Sequence, residues 1–488
     1  MSRNYDLRSA IELLKQYPNE LVKTTKEVDP HGQLAGVYRH IGAYGTVMRP
    51  TKIGPAMMFE TIKGFDDARV LIGLLASRQR VGYLLEEKPE RLAFKLNHAL
   101  DNPLMPIKVA TGQCQEVVHL VSDLDFDIRK ILPAPTNTLE DAGPYITMGM
   151  CYATDPITKE SDITIHRLCL QSKDEITMFF TPGVRHLDAF RKKAEEDGQP
   201  LPISISIGVD PAIEIASCFE SPTTPLGYNE LQVAGGLRNQ PVELVKCKTV
   251  DEYCIANSEY VIEGELLPKV RMKEDLNSST SKAMPEFPGY TGPANPSLPV
   301  IKVKAITHRK NPIMQTVIGP SEEHVSLAGI PTEASILKMV EMAMPGKLLN
   351  VYCPSFGGGK FVAILQFKKT VPSDEGRQRQ AALLAFSAFS ELKHVYIVDE
   401  DVDIFDISDV MWAMTTRFQG DQDIITIPGV RCHPLDPSND PDYSSTIRDH
   451  GIACKTIFDG TVPFHLKDHF KRADFMKVDI DDWMVEKY

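Results

Sequence analysis

Long apolar runs are missing from this chain of 488 residues. No stretch reaches the ~18 consecutive hydrophobic residues that a membrane-spanning helix needs. A basic excess is missing too: the formal net charge is -13, so nothing would drive counterion release from a nucleic acid. A local basic pocket for a small anion stays compatible with that balance. The nine cysteines are odd in number and scattered, without a Cys-x-x-Cys pair. That argues against a disulfide framework or a thiolate zinc site and fits a reducing compartment. The opening Met1-Ser-Arg-Asn-Tyr-Asp runs into an amphipathic stretch at Ala10 and shows no signal-peptide pattern. Together these features predict a cytoplasmic protein. Also absent are the nucleophile elbow Gly-x-Ser-x-Gly, the dinucleotide fingerprint and His-Glu-x-x-His. Gly357-Gly-Gly-Lys360 lacks the Walker spacing, which excludes a P-loop.

What is present is ordinary globular composition, 42% hydrophobic and 24% charged, in a chain long enough for two or three domains. Residues 1–110 read as mixed helix and strand, with helices at Arg80-Val-Gly-Tyr-Leu-Leu and from Arg91 to Leu100. Residues 111–330 alternate β-rich runs with turns. Their clearest strands are Val245 to Glu263 and Val300 to Ile306, and a helix is expected from His186 to Glu196. Lys273 to Pro299, rich in Ser, Pro, Gly and Asn, reads as an irregular loop of a length that is usually functional. Residues 331–488 change character. A capped helix from Thr332, a buried strand from Phe361, a long helix from Gly376 to Leu392 and a second buried strand from His394 give α/β layering.

Several clusters could carry chemistry, and each has a plainer reading beside it. In Asp162-Ile-Thr-Ile-His-Arg167, strand alternation puts Asp162, Thr164 and His166 on one face and Ile163, Ile165 and Arg167 on the other. A solvated surface strand is the commoner meaning of that pattern, and a bend would be needed for Asp162 and Arg167 to serve one site. Pro182-Gly-Val-Arg-His186 leads into a helix start, a place that attracts anions but that capping residues also occupy. Glu230 follows the turn-rich Pro222-Thr-Thr-Pro-Leu-Gly-Tyr-Asn. Asp162, His186 and Glu230 would make a hard oxygen and nitrogen donor set suited to Mn2+ or Mg2+. Glu286, between two prolines in Met284-Pro-Glu-Phe-Pro-Gly-Tyr290, is held stiffly and suits a general acid, or equally a rigid exposed turn. His324, Lys360 and His433 offer basic groups, and Asp399-Glu-Asp-Val-Asp403 offers carboxylates whose plainer role is capping and solvation.

Ser161 to Arg167, Met284 to Tyr290, Asp399 to Asp406 and Val410 to Arg417 occur in an order that resembles the UbiD family of prenylated-FMN-dependent decarboxylases. Pro133-Ala-Pro-Thr-Asn-Thr, Pro222 to Glu230 and Gly319-Pro-Ser-Glu-Glu-His are similar to its gallate and protocatechuate branch. The resemblance implies Mn2+ at Asp162, His186 and Glu230, with Arg185 as an alternative to His186 in the alignment. It implies K+ held near Ile163, Ala216, Ser217, Phe219 and Glu230. Prenylated FMN would contact Thr164, Ile165, Arg167, Arg185, His186 and Lys393, the last through phosphate. Arg167 would orient the substrate carboxylate and Glu286 would act as catalytic acid.

Cinnamate-type members carry a further glutamate ahead of the catalytic one, and Ser281 stands at that place here. The expectation is an incomplete Glu-Arg-Glu network, with His324, Lys360 and His433 as phenol-binding or proton-relay substitutes. The implied architecture is α/β: an N-terminal cofactor domain with a split β-barrel, a linker, and a C-terminal layered domain that mediates oligomerisation as a dimer or hexamer. The tail from Phe470 to Tyr488 would pack on a neighbouring subunit. The implied reaction is reversible, non-oxidative removal of CO2 from a hydroxybenzoic acid, with a flavin prenyltransferase supplying the cofactor. Two other classes remain at this level: a flavin oxidoreductase, and an inactive cofactor-binding subunit.

Overall fold

The computed structural model describes residues 5–43, 52–181, 186–443, 447, 449 and 451–483. Near the N-terminus, helices Leu7–Leu14, Gln33–Ile41, Arg78–Leu85 and Leu92–Asp101 accompany a four-stranded sheet. Its order is Leu21–Thr24, Ala56–Phe59, Arg69–Ile72 and Ile313–Thr316, so its last strand comes from far along the chain. Asp6 caps the first helix by accepting from Ser9 N–H, and Ser77 caps Arg78–Leu85 through Arg80 N–H. Leu7, Ile11 and Leu14 then share one buried face at helical spacing. Each such buried aliphatic side chain contributes roughly 1.5–3 kcal/mol.

The middle of the chain forms a nine-stranded sheet in which every pairing is antiparallel. Its strand path begins Tyr145–Ile146, Leu168–Leu170 and ends Gly149–Thr154, Ser161–Ile165. Ser161–Ile165 and Leu168–Leu170 therefore lie near opposite ends of the path, although only His166 and Arg167 separate them in sequence. Two residues can bridge those ends only if the sheet curls round on itself. This is the split barrel that the resemblance implied, and His166 and Arg167 sit at its seam.

The C-terminal sheet runs Leu348–Tyr352, Val362–Phe367, His394–Asp399, Ile452–Asp459, Ile424–Arg431. Its three central strands are parallel and the outer pairings antiparallel. Helices Glu322–Ala343, Arg377–Ala388 and Ile407–Thr416 accompany it. No helix among the described residues is long and apolar enough to cross a membrane.

Three readings of the sequence need correction. Val245 to Glu263 is not one strand but the pieces Glu243–Lys246, Tyr253–Ile255 and the start of Tyr260–Met272, the first two in a separate small sheet. The break is anchored by the buried Glu263 carboxylate, which accepts from Lys248 N–H and Thr249 N–H. Lys273 to Pro299 is not irregular throughout, since Lys282–Pro285 and Thr291–Pro293 pair as a hairpin. The C-terminal helix starts at Glu322, capped by Ser321, rather than at Thr332, so it runs through the expected boundary at 330/331. Pro331 lies inside it. It cannot donate a helix hydrogen bond, and the hydroxyls of Thr332 and Ser335 donate back to Ala328 O and Pro331 O around it.

That helix is bolted to the N-terminal part by two buried carboxylates. Glu333 accepts from both terminal nitrogens of Arg78, at 2.8 and 2.6 Å. Glu323 accepts from Gly73 N–H and Leu75 N–H at 2.8 and 3.0 Å. Complete burial outweighs these hydrogen bonds and raises the Glu323 pKa from 4.5 to about 7. A carboxyl raised in the fold favours the folded state while protonated. Its contribution, about 3 kcal/mol by linkage, is therefore complete below the unfolded value and is lost as pH rises through 7. The thermal midpoint of the wild type should fall between pH 5 and pH 8 by more than that of Glu323→Gln. Equal slopes in calorimetry would refute the assignment.

Candidate active site

Strand Ser161–Ile165 pairs along its whole length with Gly149–Thr154, so Asp162 and Thr164 are buried in regular structure. Pairing then stops. His166 and Arg167 fall outside any strand before Leu168 joins the opposite end of the sheet. Arg167 reaches its partners from this unpaired segment rather than from within a strand. His166 is fixed across the seam: its Nδ1 donates to Phe179 O at 3.0 Å, and its Nε2 accepts from the Thr164 hydroxyl at 2.7 Å.

Arg167 lies between two carboxylates. Glu274 Oε1 is 2.9 Å from Nε and Glu274 Oε2 accepts from NH2 at 3.0 Å, while NH1 donates to Glu286 Oε1. The guanidinium also stacks 4.4 Å over the Phe179 ring. Burial alone would lower its proton affinity, but Glu286 and Glu274 hold it above the usual arginine value. Glu274 is itself fixed by the Tyr145 hydroxyl and Asn295 N–H, which donate at 3.0 and 2.9 Å. The Glu-Arg-Glu network is therefore complete. Glu274, two residues beyond the end of Tyr260–Met272, fills the part that the sequence left open. Ser281 is exposed, at positive φ, with its N–H on Asp275. Fold proximity alone reveals Glu274, because its sequence neighbours form no motif.

Glu286 occupies the turn of the Lys282–Pro285 and Thr291–Pro293 hairpin, where its N–H donates to Tyr290 O and its carbonyl accepts from Gly289 N–H. Ile165, His166, Arg167 and Glu286 line a cavity of about 190 Å3 together with Phe287, His324 and Lys360. That is below the roughly 300–1,000 Å3 of sites for drug-sized ligands, and suits one small aromatic acid. His324 stacks on Phe287, with centroids 5.0 Å apart and planes 4° from parallel. Lys360 Nζ donates to Glu391 at 3.2 Å.

His433 departs from expectation. It contacts Phe287 edge-on but is not among the cavity-lining residues. Its Nδ1 accepts from Leu435 N–H, which leaves Nε2 to face Glu391 at 3.4 Å. Both ring nitrogens are thus engaged inside the protein. Glu391, buried between Lys360 and His433, had no signal in the sequence. Lys393 also departs: its ammonium is held by Asp436 and Ser438, at 2.6 Å each, and it lines no part of this cavity.

At the other end of the seam strand, ligand atoms of Asp162, His186 and Glu230 all lie within 4.8 Å of one another. Asp162 and Glu230 are 0% and 1% exposed. Among the described residues, no hydrogen-bond donor reaches either Asp162 carboxylate oxygen or Glu230 Oε2, all of them buried. Burial, then the neighbouring Asp162, pushes the Glu230 carboxyl well above its usual range. Two buried, unsatisfied carboxylates are costly unless a cation joins them, and with the imidazole they match a hard divalent ion. His186 opens its helix, with Nε2 3.2 Å from Ser221 Oγ and Nδ1 3.7 Å from Asp162. Arg185 lies outside the described residues. Ala216 ends helix Pro211–Ala216, followed by its C-cap Ser217. They are buried, as are Ile163 and Phe219.

Family models for the 3-octaprenyl-4-hydroxybenzoate carboxy-lyases match in three consecutive blocks. The N-terminal domain covers residues 11–100, the Rift-related domain 106–322 and the C-terminal domain 325–460. The chain is 56% identical over 487 residues to a gallate decarboxylase of Lactiplantibacillus plantarum, covering 99% of both chains. It superposes on the apo 3,4-dihydroxybenzoic acid decarboxylase of Enterobacter cloacae with a TM-score of 0.93 at 58% identity, again over 99% of each. A UbiD-class enzyme of Pelotomaculum thermopropionicum, solved with FMN, matches at 34% identity and TM-score 0.85, over 98% of this chain and 100% of the other.

Proposed function

The chain belongs to the UbiD family of carboxy-lyases, and from that premise we propose that it decarboxylates a 3,4-dihydroxy- or 3,4,5-trihydroxybenzoic acid using prenylated FMN. The observation that carries this reading is the Glu274–Arg167–Glu286 array on a small cavity that Lys360 and His324 also line. The relatives that act on gallate and 3,4-dihydroxybenzoate supply the substrate class.

Asp162, His186 and Glu230 would hold Mn2+, and carbonyls around Ala216, Ser217 and Phe219, with Ile163 and Glu230, would hold K+. The carbonyl end of helix Pro211–Ala216 supports the second site, since helix C-termini carry partial negative charge. Asp162 and Arg167 are five positions apart, ~16 Å if fully extended. Across that span Thr164 and Ile165, with Arg167 and the metal ligands, would hold the cofactor. Nothing in the geometry supports Lys393 as a phosphate contact. When bound, the prenylated flavin supplies the electron sink that lets the ring carbon part from CO2.

The chain's own residues supply orientation and the proton. The substrate carboxylate takes the place of Glu286 on Arg167, which fixes its direction. Glu286, released from Arg167, faces the ring carbon as the proton donor in its protonated form. After CO2 leaves, that proton passes to the ring carbon, and the Glu286 carboxylate returns to Arg167. Lys360 and His324 receive the ring hydroxyls, and Glu391 keeps the Lys360 ammonium in place. His433 acts behind Phe287, through Glu391.

A flavin prenyltransferase would supply the cofactor. A homo-oligomer is supported by the tail, where Phe475, Met476 and Trp483 are 84%, 87% and 69% exposed.

The test is a panel of phenolic acids given to enzyme co-expressed with a flavin prenyltransferase, without any redox partner. Gallate or 3,4-dihydroxybenzoate should release one CO2 per phenol formed. 3-Hydroxybenzoate, which lacks the para-hydroxyl, should react about 10⁴- to 10⁵-fold more slowly, the scale on which a site built for a hydroxyl rejects its absence. Turnover of no phenolic acid would overturn the reading, and equal rates would overturn the role given to the para-hydroxyl.

A further inference from the structure

Away from this site, strand Val117–Leu120 lies antiparallel against Leu298–His308, with Ile306 opposite His119 and His308 opposite Val117. His119 and His308 are therefore diagonal neighbours on one face, within reach of each other. Their Nε2 atoms are 3.0 Å apart, with ring centroids at 5.1 Å and planes 18° from parallel. His308 Nδ1 lies 2.7 Å from Arg309 O. A carbonyl can only accept, so Nδ1 carries the proton and the Nε2 of neutral His308 presents its lone pair. A backbone carbonyl on the far ring nitrogen is the partner that fixes metal-binding histidines elsewhere.

Both rings line a cavity of about 570 Å3. Asp66 and Asp67 on its wall balance Lys130 and Lys310. Tyr260, 1% exposed and on the same wall, has a buried hydroxyl with no hydrogen-bond partner among the described residues. Its ring is 5.4 Å from that of His308. The two imidazoles meet through their Nε2 atoms, and a buried hydroxyl without a partner among the described residues lies on the same cavity wall.

We propose that His119 and His308 chelate a divalent transition-metal ion through their Nε2 atoms, forming a second metal site. With metal–nitrogen bonds of about 2.0–2.1 Å, a 3.0 Å nitrogen separation gives a bite angle of about 95°. That is the cis angle of tetragonal or octahedral coordination, and it favours Ni2+ or Cu2+ over tetrahedral Zn2+. His119 needs only to move its proton to Nδ1. No carboxylate among the described residues joins the two imidazoles within ligating distance, so water would complete the shell. The site lies four strands along the sheet from Ser161–Ile165, so it is separate from the Asp162 cluster. Its effect is to clamp Val117–Leu120, which pairs with the sheet through a single neighbour.

The experiment uses tag-free, Mn2+-loaded holoenzyme titrated with Ni2+ by calorimetry, with His119→Ala and His308→Ala in parallel. The parent should bind one more Ni2+ than either variant, with a Kd on the order of micromolar. Saturating Ni2+ should raise the thermal midpoint of the parent only, and all three proteins should decarboxylate equally. Cu2+ bound to the parent should show coupling to two nitrogens in its electron paramagnetic resonance spectrum. The proposal fails if parent and variants take up equal Ni2+, or if the parent's extra site is weaker than about 1 mM. A variant that misfolds leaves the Cu2+ spectrum of the parent as the deciding measurement, and coupling to fewer than two nitrogens there sinks the site.

Discussion

A Glu286→Gln enzyme should keep its flavin and metal and decarboxylate about 10²- to 10⁴-fold more slowly than the parent, the usual worth of a positioned proton donor. The expectation follows from geometry. Glu286 is held on a hairpin turn by its own backbone hydrogen bonds with Tyr290 and Gly289, and it reaches both Arg167 and the cavity. Glutamine has nearly the same shape and can still accept from Arg167, but it has no acidic proton to give. The loss should therefore fall on kcat, with flavin absorbance unchanged. Glu274→Gln is the informative comparison. That residue holds Arg167 without lining the cavity, so its replacement should raise KM and leave most of kcat. Equal kcat in Glu286→Gln and wild type would remove Glu286 from the chemistry.

Removing the charge of Glu230 should have opposite consequences for function and for stability. Glu230→Gln should lose Mn2+ on elemental analysis, retain little flavin and show no measurable decarboxylation. With metal absent from both proteins, the same variant should be more stable than wild type at neutral pH, by about 1–3 kcal/mol. The reason is that Asp162 and Glu230 are both buried beside each other with oxygens that no described residue donates to. A glutamine amide can donate to Asp162 at once, whereas the metal-free Glu230 carboxyl must first take up a proton to do so. A site arranged for a cation costs stability when the cation is gone. Urea unfolding of both proteins in chelator would measure the difference. An unchanged metal content, or a metal-free variant less stable than metal-free wild type, would contradict the assignment.

Local rules located much of this protein. Period-3.6 patterning found helix His186–Glu196 to the residue, and apolar runs found strands Val362–Phe367 and His394–Asp399. Ser321 was missed as a helix cap because Pro331 suggested a boundary, and the helix tolerates that proline within a buried environment. Val245 to Glu263 alternated well enough to read as one strand. A single buried carboxylate, Glu263, gathers the turn that breaks it, and no sequence window contains that tertiary contact.

The seam segment shows where the division falls. Asp162, Arg167, His186, Glu230 and Glu286 were legible by residue type and by their ordered resemblance to a family. Their sequence also stated the conflict correctly: alternation sends Asp162 and Arg167 to opposite faces. Only the tertiary structure decided what surrounds the two, because His166 and Arg167 leave the strand where the chain crosses the seam of a curled sheet. It also decided that Glu274 completes the arginine's partners, that Lys393 faces Asp436, and that His433 stands behind Phe287. Each of those outcomes joins residues distant in sequence, and side-chain partners across such separations are set by packing and burial rather than by local pattern. The sequence by itself determined which chemical groups were available, and the fold determined which of them meet.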